Sequence, residues 1–161
     1  MEIEKFLDLA RQYCATIQEA TSCRPYALLE RCAVLLPQLY AAAMVVREVQ
    51  PGEEDLPDPD VASPMGVLLK RLGSFDLYME VFDPVYDKEA TPASLSGDLA
   101  EIYLDLAKSI RWYDDGHMNE AVWELRFGLS NHWGNHLVDA MRAIHRLVHD
   151  HMSPDYEPEG A

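Results

Sequence analysis

The sequence predicts an all-α fold, an up-and-down bundle of five or six helices with a kinked central helix and a long C-terminal helix. Three observations carry this. Apolar residues recur at steps of three and four in each hydrophobic segment, the spacing of a buried helix stripe. No long segment alternates with the period of two that strands show. The stretch from Trp112 to His151 contains no proline, which gives it the length of a spine helix.

In the first segment, residues 2–20, Ile3, Phe6, Leu7, Ala10, Cys14 and Ile17 share one face, with Glu2, Glu4, Asp8, Arg11 and Glu19 opposite. That is a surface helix with one buried stripe. Thr21 and Ser22 interrupt it, and Pro25 suits the first turn of a second helix running to about Glu48. This helix is apolar nearly all round, as a helix in the middle of a bundle is. Pro37 lies inside it, removes the bond to the Ala33 carbonyl, and predicts a kink or a division into two shorter helices.

From Gln50 to Ser63 the composition changes. PGEEDLPDPDVASP holds five acids, no base and four prolines, so it reads as a surface loop. Pro64 then opens a third helix, which Gly73 ends. FDLYMEVFDP reads as a short helical piece whose Phe75, Tyr78, Phe82 and Tyr86 plug the core.

The fourth helix starts near Thr91 or Ser94 and runs to Tyr113, with Leu95, Leu99, Ile102, Tyr103, Leu106 and Ile110 as its stripe. Asp114-Asp115-Gly116 is too short for anything but the turn of an antiparallel helical hairpin. In the final helix Val122, Leu129, Leu137, Ala140, Ile144 and Leu147 align with Trp133, and Arg126 falls on the same stripe. Gly128 and Gly134 read as a close helix crossing. Residues 1–152 form one domain; the Pro- and acid-rich tail, 153–161, should fray as a flexible segment.

Composition bounds the function. Lysine and arginine number 13 against 28 aspartates and glutamates, a formal net charge of −15. Such a field repels phosphate backbones and anionic lipid, which argues against nucleic-acid and membrane partners. The N-terminus lacks the basic start and apolar block of a signal peptide, and no apolar run approaches a membrane span. Cys14, Cys23 and Cys32 contain no CxxC pair and read as free thiols in a cytoplasmic protein. No cofactor motif is present.

The blocks SLSGDLAEIYLDL and EAVWELRFGLSNHWGNHLVDAMRAIHRL carry two motifs: Ser-Leu-x-x-Asp-Leu-x-x-Ile-Tyr (Ser94 to Tyr103) and His-Trp-Gly-x-His (His132 to His136). In these the chain resembles a family of bacterial all-helical proteins filed as a domain of unknown function. The resemblance implies a helical fold and a bacterial source, and no activity, cofactor or catalytic residue.

The candidate site residues are Asp98, Asp105, Arg126, His132 and His136. In a hairpin, the flank of the fourth helix bearing Asp98 and Asp105 faces the flank of the fifth bearing His132 and His136. Antiparallel geometry pairs Asp98 with the region of His132 and lets Asp105 reach only to about Phe127. Two histidines four apart can share a divalent cation, but the ferritin-type Glu-x-x-His repeat is missing. The preferred expectation is that Asp98 and Asp105 pair with a buried Arg126, that the histidines bond to backbone or carboxylate, and that no metal binds. Functionally the leading reading is a non-enzymatic interaction or regulatory protein whose acidic face meets a basic protein partner. The alternatives are a metal-dependent helical-bundle enzyme using Asp98, His132 and His136, and a small-molecule pocket lined by Trp112, Trp123, Phe127 and Trp133. Oligomeric state is left open.

Overall fold

The computed structural model describes residues 2–53 and 55–160; Glu54, one of the five acids of the predicted loop, lies outside them. Six α-helices make up most of the described chain: α1 (Glu2–Gln18), α2 (Pro25–Val45), α3 (Met65–Leu72), α4 (Leu95–Asp114), α5 (Met118–Asn131) and α6 (Trp133–Arg146). Helix of all types accounts for 66% of the described residues, in line with the predicted predominance of helix. A short antiparallel hairpin, β1 (Leu77–Glu80) and β2 (Thr91–Ser94), sits between α3 and α4.

The centre of the bundle is α4, which packs against α1, α3, α5 and α6. Its predicted stripe of Leu95, Leu99, Ile102, Tyr103 and Leu106 is buried, and Ile110 is half-buried. Ser94 caps its N-terminus, its hydroxyl accepting from the Gly97 amide at 3.1 Å. The expected central helix, α2, lies instead to one side, packed mainly on α1 and α6. Leu28, Leu29, Cys32, Leu36 and Leu39 face inward, while Val34, Met44 and Val45 are more than half exposed. All-round hydrophobicity therefore misplaced it. The helix runs through Pro37 without dividing. It is also long and apolar enough to cross a membrane by length and composition alone, a test that core helices pass as well.

FDLYMEVFDP is the second correction. Residues 77–80 are a strand, not helix, and Phe82 and Tyr86 are each 81% exposed, so they plug nothing. Leu77 and Met79 point outward while Tyr78 and Glu80 are half-buried, a period of two too short to stand out in the sequence. Asp76, almost fully buried, ties the hairpin to α4. Its carboxylate accepts the Ser96 amide at 2.7 Å and the Ser94 hydroxyl at 3.0 Å, and its carbonyl accepts the Leu95 amide at 2.9 Å. An anion placed there satisfies orphan donors of the first turn and opposes the positive helix end.

Third, the long C-terminal helix is two helices. The chain breaks at His132, with φ −144° and ψ −90°, and α6 begins at Trp133. The cause is a close approach that the two glycines permit. A Cβ on Gly134 would lie 1.8 Å from the Leu129 carbonyl oxygen, and one on Gly128 would lie 2.5 Å from Cδ1 of Trp133. The indole of Trp133 is wholly buried beside Phe6 and donates to the Leu125 carbonyl at 3.0 Å. Gly128 and Gly134 thus permit the close approach of two helices expected of them, here α5 and α6 where the chain folds back.

Residues 46–53 and 55–64 cross the α4–α5 hairpin in the region of the predicted loop. Lys108 reaches Asp58 at 2.7 Å and stacks over Trp112 at 4.6 Å. At the other end, residues 153–160 return over α3, and this is the acid-rich segment expected to fray. Tyr156 meets Phe75 edge-on at 4.8 Å and donates to the Leu72 carbonyl; Asp155 pairs with Arg24, and Glu157 with Arg71 at 3.3 Å. Cys14, Cys23 and Cys32 are free. Burial pushes the Cys14 and Cys32 thiols up to about 12, which leaves them packed and unreactive.

Candidate functional site

Three elements converge on one face. From α4 come Asp98, Glu101 and Asp105; from the start of α6 and the break before it come His132, His136 and Asp139; from β1 come Tyr78 and Glu80. Asp98 and Asp105 are seven residues, or about 10.5 Å, apart along α4, and each meets one histidine. His136 Nδ1 lies 2.9 Å from Asp98 Oδ1, and His132 Nδ1 lies 2.7 Å from Asp105 Oδ2. An ionised carboxylate only accepts, so each Nδ1 carries the proton and donates. The two imidazoles meet edge to face at 5.0 Å.

Asp98 is the anchor of this arrangement, its side chain 8% exposed. Its second oxygen accepts the Tyr78 hydroxyl at 2.6 Å, and the same hydroxyl lies 3.2 Å from Glu80. Burial and then the bond to Asp98 push the Tyr78 phenol far above its ordinary range, so it stays a donor. The bond from Asp98 raises His136, overcoming the opposing effect of burial, and Glu101 and Asp139 reinforce it. Asp139 goes up to about 6: burial is the largest cause, followed by repulsion from Glu80 and Asp98 and a hydrogen bond shared with Glu80.

Four of the five predicted residues are therefore brought together, with corrected partners. Asp98 reaches His136 and not His132, and Asp105 reaches His132 and not Phe127. The break at His132 lets α6 set out on a new path, which moves both pairings from those of one straight helix. Arg126 is elsewhere. Its guanidinium, on α5, donates to the Ala43 carbonyl at 2.8 Å and to Glu48 at 3.0 Å. It caps the C-terminal end of α2, where a cation is favoured, and neither Asp98 nor Asp105 is its partner. The predicted bonding of the two histidines to carboxylates does hold.

Sequence reasoning missed Asp76, Tyr78, Glu80 and Asp139. The first three arrive through the hairpin, whose strand character was not recognised; Asp139 lies on α6 one turn beyond His136, a spacing that could have flagged it.

A bound cation would use the outward Nε2 atoms, since both Nδ1 atoms are engaged by carboxylates in the manner of outer-shell partners at metal sites. His132 Nε2 lies 3.8 Å from Glu101. Yet among the described residues no group of three or more histidine, cysteine, aspartate or glutamate side chains is arranged to hold a metal ion. Of the four aromatic residues expected to line a pocket, Trp112 and Trp123 share a small cleft of about 150 Å³ that Phe127 and Trp133 do not line. Trp133 is in the core, Trp123 stacks on Phe127 at 5.0 Å, and Trp112 donates to Pro57 in the loop. A cleft of about 1240 Å³ is lined by Lys70, Arg71, Ser74 and the returning tail, none of which belongs to the acidic face.

No match among curated proteins was found. A solved structure, protein BF1032 from Bacteroides fragilis, is similar over 100% of this chain and 96% of its own, with a TM-score of 0.79 and 24% identity. That likeness is one of fold. The model of a domain of unknown function, DUF5063, matches residues 1–150, and the chain belongs to that family.

Proposed function

We propose that the protein is a non-enzymatic binding module that receives a basic protein partner on the face built by β1, α4 and α6. One observation carries the reading. Glu80, Asp98, Glu101, Asp105 and Asp139 share this face, and among the described residues no lysine or arginine is ion-paired with any of them; their basic neighbours are the imidazoles of His132 and His136. Elsewhere, acids such as Asp114, Asp155, Glu157 and Glu124 are matched by Arg11, Arg24, Arg71 and Lys108. These carboxylates, whose mutual repulsion adds to burial in pushing Asp139 up to about 6, gain Coulomb energy when a partner's lysine or arginine arrives.

A catalytic reading has less support, since among the described residues the hydroxyl beside the Asp98–His136 pair is that of Tyr78, which burial and the bond to Asp98 keep protonated. We further propose that the protein acts in the cytoplasm, a reading supported by its three free thiols.

The test is fluorescence anisotropy with a labelled oligolysine peptide. Glu101→Gln with Asp105→Asn should weaken binding about tenfold, whereas the same charge removed remotely, by Glu2→Gln with Glu53→Gln, should weaken it by about twofold at most. Equal effects from the two pairs would mean that total charge, not this face, attracts the peptide.

A further inference from the structure

The hairpin presents a second surface beside the acidic one. Its strand β1 alternates, so that Tyr78 and Glu80 face Asp98 and Asp139 while Leu77 and Met79 face solvent, 72% and 61% exposed. The connection between the strands adds Phe82, Val85 and Tyr86, each about four-fifths exposed. These side chains stand on an ordered turn. Asp83 Oδ1 accepts the Val85 amide at 2.9 Å, its carbonyl accepts the Asp87 amide at 2.7 Å, and Asp87 in turn accepts the Asp83 amide at 3.0 Å. Five exposed apolar side chains held on a fixed turn form the kind of patch that marks an interaction site.

We infer that the outer face of this hairpin docks the apolar side chains of a cationic segment of another protein, whose lysines and arginines reach the acidic face. The inference rests on the function proposed above and adds the chemistry of the partner. Charge selects the occupant. Within residues 80–89 the acids Glu80, Asp83, Asp87 and Glu89 surround the ring-bearing residues, with Lys88 the single base. A second copy of a chain with net charge −15 would bring like charges together, and an anionic lipid surface would be repelled. A basic segment with interspersed apolar residues satisfies both surfaces at once: strand alternation puts acid on one side of β1 and apolar contact on the other.

The experiment uses two labelled peptides of equal charge, one alternating lysine and leucine, the other lysine and serine. The wild-type protein should prefer the leucine peptide by about tenfold. Phe82→Ser with Tyr86→Ser should bring the two peptides to equal affinity while leaving the serine peptide's binding unchanged, which also reports that the variant is folded. A leucine preference that persists in the double variant overturns the inference. If wild type binds both peptides alike, the inference fails and the acidic-face reading stands; if it binds neither, the acidic-face reading fails and takes the inference with it. Concentration-dependent self-association that the double variant abolishes would assign the patch to a second copy and likewise overturn it.

Discussion

Replacing Asp98 by Asn removes the charge that organises the site and keeps the shape. Asp98 accepts two bonds, from Tyr78 at 2.6 Å and from His136 at 2.9 Å, and hydrogen bonds to a charged group contribute about 1.5–3 kcal/mol each. Burying the carboxylate costs part of this back, so the net loss in Asp98→Asn is about 2–3 kcal/mol near pH 6. The loss should shrink with rising pH. The folded-state pKa of His136 is raised above 6.5, first of all by Asp98. Its ion pair is therefore fully present below 6.5 and is lost as pH rises through the folded value. His136 is 32% exposed, so screening holds this component to about 1 kcal/mol; the Tyr78 component persists at high pH because the phenol stays protonated. Urea unfolding of both proteins at pH 6 and pH 8.5 measures the difference. A destabilisation of the same size at both values would show that His136 is neutral in the folded protein, and the reasoning would be refuted.

Three further outcomes follow from the same geometry. Gly134→Ala should destabilise by about 3 kcal/mol or more, because its Cβ would stand 1.8 Å from the Leu129 carbonyl oxygen and α5 and α6 would have to part; a melting temperature within error of wild type would contradict the fold-back. Asp139→Asn should stabilise at neutral pH. Its folded pKa is raised from 3.8 to about 6, so ionisation weakens the folded state as pH climbs through that window. After screening the gain is about 1 kcal/mol above pH 6.5, vanishing below about pH 4, as paired denaturation curves would show. Arg126→Ala should cost about 1–2 kcal/mol, since it removes one donor from the Ala43 carbonyl, which keeps the Val46 amide at 3.2 Å, and leaves Glu48, 79% exposed, in water. A cost well beyond that, with coupling to Asp98 in a double-mutant cycle, would restore the pairing expected from sequence.

Much of the bundle was legible because helix periodicity survives tertiary context. The stripes of α1 and α4 and the Asp114-Asp115-Gly116 turn follow directly from spacing and side-chain chemistry, while spacing alone does not choose between Thr91 and Ser94 as the start of α4. The stripe through Trp133 was also legible, although it spans two helices, because a one-residue break preserves which face is apolar. The break itself was hidden: glycines at 128 and 134 are tolerated inside helices, and only three-dimensional contact with Leu129 and Trp133 shows what they permit. The hairpin was obscured because four residues of alternation in Leu77–Glu80 cannot outweigh an aromatic-rich pattern that also fits a helix. Tyr78 and Glu80 were lost from the site with it. Arg126 was misread for a related reason: a phase correct for burial does not say which neighbour a long side chain reaches.

The most direct measurement of the proposed function is an amide and imidazole NMR titration with oligolysine at low ionic strength. The account predicts that the largest shifts cluster at Glu80, Glu101, Asp105 and Asp139 and on the rings of His132 and His136, and that they fade as salt is raised. Shifts spread evenly over the acidic surface, or concentrated on the loop around Asp55 and Asp58, would contradict it.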